Sequence, residues 1–261
     1  MRFVRERKVK QGSIYLDVDI YQYSTEQERR LPKIRKRRLS TPKQFAANDK
    51  NAKRQFVQLV NTNFGEGDYL FDTTYASPPT PEQAKAELNR CIARLKYLYK
   101  KHGVEFRYIA VTEGGRTKLN GEFSRIHHHL FISGGVPRDE VEKAWSMGRR
   151  KCDTVQILDG ENGLEGRARY VLKAQRRPED ANTKRWTGSR NLKKPVETRN
   201  DNKYTPKKVA KLIEAHTDGL LKQLVEKWYK GYQCIEYEIK KNPVTWWPEI
   251  YIKLKRIKNT S

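Results

Sequence analysis

Hydrophobic and polar positions in the middle of the chain alternate in a regular order of strands and helices. Strand-like runs occur at 68–75, 105–113, 125–133 and 152–158, and helical spacing occurs at 80–103 and 137–148. The order strand–helix–strand–strand–helix–strand is that of the split βαβ, ferredoxin-like arrangement. It predicts an α+β fold in which an antiparallel sheet carries the helices on one face and leaves the other face free. The first and third strands should lie side by side in its centre.

Further elements flank this pattern. Residues 14–20 alternate like a half-buried strand, which could form a hairpin with the preceding residues, and Thr41, Pro42 and Gln44 begin a helix with a capping-box pattern. Helical spacing returns at 164–175 and near 205–229, before a closing aromatic region. We expect one domain with additions: an N-terminal extension at 1–66, the core at 67–200, and a C-terminal helix and strand at 201–261 packed on the core.

Charge indicates the partner. The chain has 55 Lys and Arg against 31 Asp and Glu, a net charge of +24. Such an excess favours binding to a polyanion, most commonly nucleic acid. The basic run at 28–39 is either a solvated loop or a phosphate-binding arm, and the two interpretations are compatible.

Several classes of protein are disfavoured. The three cysteines show no metal or disulfide spacing, which favours reduced thiols in a cytosol. We expect no signal peptide and no membrane span, since no run approaches the ~20 apolar residues that a span needs. The sequence has no GxxxxGK[ST] phosphate loop, so strand separation would depend on a separate helicase. We expect a cytoplasmic protein.

The most unusual stretch is "RIHHHLFI" at 125–132. On a strand, His127 and His129 share one face while His128 points to the other. Two such imidazoles can bind one divalent cation, although half-buried histidines with ordinary hydrogen bonds are commoner. Glu113, which ends the preceding strand, is the expected third ligand, and Glu122 in the intervening loop is a rival.

The helix at 164–175 offers a nucleophile. Its apolar stripe leaves Tyr170 outside, with Lys173 one turn further on. A nearby cation favours the phenolate, so this pair fits an activated phenol, but an ordinary surface tyrosine fits the pattern equally. Arg167 and Arg169 are either phosphate contacts or a solvated helix face.

A basic segment follows at 184–195, "KRWTGSRNLKKP". Basic groups around an aromatic ring can hold phosphates and stack an unpaired base. The candidates for DNA contact are Lys184, Arg185, Trp186, Arg190, Lys193 and Lys194. The alternative is a basic loop whose tryptophan is anchored in the core. The later "TWWPEIYIKL" is more typical of a core strand than of a platform for bases.

Four segments in order, "YIAVTEGG", "RIHHHLFISGG", "GLEGRARYVLK" and "KRWTGSRNLKKP", resemble the rolling-circle replication initiators of the HUH endonuclease superfamily, of filamentous-phage and small-plasmid type. The resemblance implies that His127, His129 and Glu113 hold Mg²⁺ or Mn²⁺ against a phosphate of single-stranded origin DNA. Tyr170 would attack that phosphate, and Lys173 would assist. The implied products are a 5′-phosphotyrosyl bond and a 3′-hydroxyl that primes synthesis by a host DNA polymerase in a bacterial cytoplasm.

Two positions depart from that family. His128 stands where a bulky apolar residue is usual, and Asp72 stands in a first strand that is usually apolar and threonine-rich. Asp72 is a neighbour of the metal site or faces elsewhere. A relaxase or transposase of the same superfamily shares the chemistry. A non-catalytic single-strand binder of the same fold is the alternative from another class, and it predicts aromatic side chains on an open sheet face.

Overall fold

The computed structural model describes residues 2–24, 26, 41–115, 124–154, 164–172, 184–242 and 245–257. The strands are β1 (Arg2–Gln11), β2 (Tyr15–Ser24), β3 (Tyr69–Thr74), β4 (Tyr108–Glu113), β5 (His127–Ile132), β6 (Arg150–Thr154), β7 (Thr187–Gly188), β8 (Val196–Tyr204), β9 (Tyr232–Lys241) and β10 (Pro248–Arg256). The helices are α1 (Pro42–Asn63), α2 (Pro81–Lys101), α3 (Arg138–Lys143), α4 (Glu165–Val171), α5 (Pro206–Thr217) and α6 (Leu221–Trp228).

The chain forms two compact units. The central unit comprises Thr41–Lys193, and the terminal unit comprises Met1–Ser40 together with Lys194–Ser261. These units do not coincide with the three consecutive segments expected from the sequence, because β2 pairs with β10 and so joins the two ends of the chain in one sheet. Helix α1 falls within the central unit.

The central unit has the predicted strand order. Its sheet runs β6–β3–β5–β4–β7, and the pairings are antiparallel. The first and third strands of the ferredoxin-like pattern, β3 and β5, are neighbours, and the histidine strand β5 is central. The predicted α+β class and the position of the histidine strand are confirmed.

Local sequence determines where the two long helices of this unit begin. Thr41 and Thr80 each accept a hydrogen bond from the backbone of the glutamine three residues on, and that glutamine side chain returns a bond to the threonine backbone. A proline follows each threonine, where its fixed φ suits the first helical turn. The capping box predicted at Thr41 is therefore present.

Helices α2 and α3 cover one face of the central sheet, called here the back face. Phe71, Leu130 and Ile132 from the strands pack with Leu95 and Val141 from the helices, and all are essentially inaccessible. Burial of this apolar surface is the main stabilisation of the unit.

The opposite face, called here the front face, is not free as the sequence pattern suggested. Helices α1 and α4 cover its apolar part, where Phe56 and Ala168 pack with Ile109 and Phe131. The prediction was wrong because β5 carries Phe131 on the same side as its histidines, and such a side chain must be buried. The polar ends of the strands extend the front face beyond this apolar part.

The terminal unit has its own antiparallel sheet, in the order β8–β1–β2–β10–β9. Helices α5 and α6 pack on it through Val209, Leu212, Leu221 and Val225, which are buried. The expected N-terminal hairpin is present as β1 and β2. The single helix expected near 205–229 is two helices, because the chain reverses at Gly219, whose φ is +72°. No helix in the described ranges is long and apolar enough to cross a bilayer.

Candidate metal and nucleophile site

Strand register brings the predicted ligands together on the front face. Glu113, the last residue of β4, lies opposite His127, the first residue of β5. His129 lies two residues further along the same face, opposite Asp72 of β3. Antiparallel pairing thus places side chains from three strands in one patch, as the sequence pattern predicted for Glu113 and the two histidines.

The ligand atoms of these side chains lie close together. Glu113 Oε2 is 3.1 Å from His127 Nε2 and 3.6 Å from His129 Nε2. One ligand atom from each of the three residues falls within 4.8 Å of the others. Glu113 is therefore the carboxylate that meets both imidazoles, whereas the rival Glu122 lies outside the described residues.

The remaining ring nitrogens have acceptor partners. His129 Nδ1 is 2.6 Å from Asp72 Oδ1, and His127 Nδ1 is 3.1 Å from the carbonyl oxygen of Arg125. Oxygen acceptors hold a proton on each Nδ1, so a neutral ring presents the lone pair of its Nε2 towards Glu113. Asp72 thus orients a candidate ligand by a hydrogen bond, a role that sequence reasoning did not assign to it.

This donor set fits a divalent cation. His129 Nε2 is buried and has no hydrogen-bond partner, although an orphaned buried polar atom is costly. Two imidazole lone pairs converge with a carboxylate oxygen, and a cation at that point would satisfy all three. With only three protein ligands, Mg²⁺ or Mn²⁺ would keep open positions for a substrate.

His128 is on the back face, as predicted, and has the partners that its burial requires. Tyr75 Oη lies 2.7 Å from its Nε2, and Thr112 Oγ1 lies 2.9 Å from its Nδ1. Burial, together with the adjacent His127 and His129, lowers the pKa of His128 to about 4. The ring is therefore neutral and structural, and it is separated by the sheet from the front-face ligands.

Tyr170 lies beside the ligand cluster. Its ring centroid is 6.2 Å from that of His129, and the residue is 57% exposed. The predicted apolar stripe of α4 holds it there, since Ala168 and Val171 are buried against the sheet. Lys173 lies outside the described residues. The two candidate arginines on this helix, Arg167 and Arg169, are both exposed, and Arg169 pairs with Glu165.

The basic segment divides into two sets. Lys184, Arg190, Lys193 and Lys194 are exposed. Arg185 instead pairs with Asp49 of α1 and donates to the carbonyl of Leu172 at 3.2 Å, leaving its side chain 9% exposed. Trp186 is half-buried, with its ring centroid 5.2 Å from that of Phe56. These two residues connect helices α1 and α4, and the partner of Arg185, far away in sequence, left no local pattern to reveal it.

Comparison with known families agrees with this geometry. Residues 69–175 match the model of a family described as Replication-associated protein, of the ORF2 type. The matched segment is similar to this replication family. It runs from β3 through α4 and includes Glu113, both front-face histidines and Tyr170. No curated protein and no solved structure matches the chain. The similarity supports a role in DNA replication, with DNA as the partner.

Proposed function

We propose that the protein nicks and rejoins single-stranded DNA at a replication origin and so starts rolling-circle replication. The observation that carries the proposal is the unpartnered, buried Nε2 of His129 beside Glu113 and His127, with Tyr170 exposed next to it. A cation-binding cluster adjacent to an accessible phenol is an arrangement suited to phosphoryl transfer.

The covalent step can be written in full. Tyr170 Oη attacks the scissile phosphorus, forming a P–Oη bond as the bond between phosphorus and the 3′-oxygen breaks. The phenolic proton is lost and the departing 3′-oxygen gains a proton, leaving a 3′-hydroxyl and a 5′-phosphotyrosyl link. Reversal of these steps rejoins the strand, because the phosphodiester energy is conserved in the link. The 3′-hydroxyl is the primer for a host polymerase, after a separate helicase opens the duplex.

The side chains of the cluster divide this work. Glu113, His127 and His129 would hold Mg²⁺ or Mn²⁺, which when bound supplies Lewis-acid polarisation of the phosphate. Asp72 orients His129. The exposed cations Arg167, Lys184, Arg190, Lys193 and Lys194 would contact the DNA backbone. Assistance from Lys173 is proposed from sequence alone.

The non-catalytic alternative is less well supported. A single-strand binder with this fold uses aromatic side chains on an open sheet face. In the described part of the central sheet, Phe131 of the front face is buried beneath α1 and α4, and the accessible end carries histidines and carboxylates instead. A relaxase or transposase would use the same chemistry, but the similarity to a replication-associated family favours an initiator.

A covalent-adduct assay tests the proposal. The protein is incubated with Mn²⁺ and a labelled single-stranded DNA carrying the replicon's origin, and the products are separated under denaturing conditions. A protein–DNA band should form, and it should disappear with chelator and in Tyr170→Phe. Tyr97→Phe is the matched control, because Tyr97 is 73% exposed on α2, across the sheet from the cluster. Adduct formation by Tyr170→Phe at the parental level would show that the nucleophile is another residue.

A further inference from the structure

Helices α5 and α6 of the terminal unit form a tight helical pair that the nicking chemistry does not use. Only residues 218–220 separate them. The stretch 205–230 contains six lysines against three acidic residues. Two short helices joined by a three-residue turn with a glycine are the form of the helix-turn-helix, whose second helix enters the major groove of duplex DNA.

The turn is built by local hydrogen bonds. The backbone N–H of Leu220 donates to the carbonyl of Ala215 at 2.7 Å, and that of Gly219 donates to the carbonyl of His216 at 3.2 Å. Gly219 has φ +72°, a conformation that glycine adopts without strain. The reversal that positions α6 after α5 is thus defined by the sequence of the turn itself.

One side of α6 is anchored and the other is accessible. Leu221 and Val225 are buried in the core of the terminal unit, and Glu226 turns back to accept a hydrogen bond from the backbone of Cys234 at 2.9 Å. The outward side carries Lys222, Gln223 and Lys227, which are exposed. With Glu226 turned towards the protein, the projecting groups are two cations and an amide, the types that contact phosphates and base edges.

The β9–β10 hairpin that follows adds an aromatic group. Its tip exposes Trp246 to 74%, with φ at +58°. The tip is ordered by Asn242, whose side-chain oxygen accepts from the backbone N–H of Thr245 at 3.0 Å and whose carbonyl accepts from that of Trp246 at 2.9 Å. A bulky residue with positive φ is strained, so this turn holds an apolar ring in solvent at a cost.

We propose that the terminal unit is a reader of double-stranded DNA, with α6 lying in the major groove and Trp246 contacting the duplex alongside. The occupant is DNA rather than an acidic protein because the surface combines projecting cations and an amide with an exposed indole ring. The inference goes beyond nicking of a single strand. It rests on residues of the terminal unit only and does not depend on the nature of the nucleophile.

Binding of the full-length chain to a 30-base-pair duplex of mixed sequence tests the inference. All proteins carry Tyr170→Phe, so that nicking does not interfere. Lys222→Ala/Lys227→Ala is compared with Lys85→Ala/Lys96→Ala, a control that removes two exposed lysines from α2 of the central unit and gives the same net charge. The slope of log affinity against log salt should fall by about two in the first variant, nearly one for each phosphate that a lysine no longer neutralises. The control should keep the parental slope.

Two further measurements separate the possible outcomes. Gln223→Ala should change the sequences recovered from a random duplex library, since an amide that reads base edges specifies sequence. Trp246→Ala should weaken duplex binding on the order of tenfold. Parental duplex affinity and salt slope in Lys222→Ala/Lys227→Ala would overturn the inference and indicate another partner for α6. With Tyr170 retained, the same lysine variant should still form the adduct on single-stranded DNA, so failure here is distinct from failure of the nicking proposal.

Discussion

The two faces of the central sheet treat the same residue type in opposite ways. On the back face, His128 is fully buried and both ring nitrogens have hydroxyl neighbours. On the front face, His129 is nearly as buried, yet its Nε2 has no partner. Because buried polar groups are normally satisfied, the unsatisfied imidazole indicates function and the satisfied one indicates structure. Position in the hydrogen-bond network, rather than residue type, distinguishes the two.

The largest expected effect comes from breaking the front face. His129→Ala should reduce Mn²⁺ affinity by more than the roughly 10–100-fold that loss of an outer partner costs, because it removes a ligand outright. Covalent adduct should no longer form. The thermal midpoint should change little, since the substitution also removes an unsatisfied buried nitrogen. Isothermal titration with Mn²⁺ and a thermal melt measure the two quantities, and unchanged Mn²⁺ affinity would exclude His129 as a ligand.

The reverse result is expected on the back face. His128→Ala should lower the free energy of unfolding by about 3 kcal/mol, because it opens a cavity and leaves the hydroxyls of Tyr75 and Thr112 without the ring. Urea denaturation measures the change. Mn²⁺ affinity of the folded variant should stay near the parental value. A large loss of stability from His129→Ala with none from His128→Ala would invert the comparison and contradict it.

A third change tests how the front face is held. Asp72→Ala should weaken Mn²⁺ binding by roughly 10–100-fold, because His129 loses the carboxylate that holds its Nδ1 proton. Asp153→Ala is the matched control. Asp153 belongs to the next strand and pairs with Lys151 at 2.8 Å, so its removal changes the charge equally without touching the histidine. Equal losses in the two variants would point to charge rather than orientation.

The smallest effect concerns the neutral interior behind the sheet. Burial raises the pKa of Cys91 and of Cys152, each to about 12. A raised pKa in the folded state means that the contribution to stability is complete below the thiol's unfolded pKa and is lost as pH rises towards the folded value. Above about pH 9 the parent should lose up to about 1.4 kcal/mol per pH unit more than Cys91→Ala. Urea denaturation at pH 8 and pH 10 measures this difference, and parallel curves would contradict it.

Much of the site could be predicted from local patterns. Alternation on β5 separates His128 from its neighbours, and the stripe of α4 leaves Tyr170 at the surface. These features depend on side chains two to four positions apart, whose relative directions are set by strand and helix geometry. The capping residues Thr41 and Thr80 act over the same short range.

Other features could not be predicted because their partners lie far apart in sequence. Arg185 carries the same charge as the exposed lysines near it, but Asp49 pairs with it inside the central unit. The polar strand ends likewise extend from a face that helices cover elsewhere. Each outcome depends on which distant segment packs against the residue, and local sequence carries no direct record of that.

The sequence by itself determined the order of elements in the central unit, the side of the strand taken by each histidine, and the excess of positive charge. Only the tertiary structure decided that Glu113 meets both imidazoles, that Asp72 orients one of them, and that β2 pairs with β10. The physical reason is range. Backbone periodicity follows from neighbours, whereas a ligand cluster or a sheet joining both ends of the chain exists only after distant strands have paired in one register.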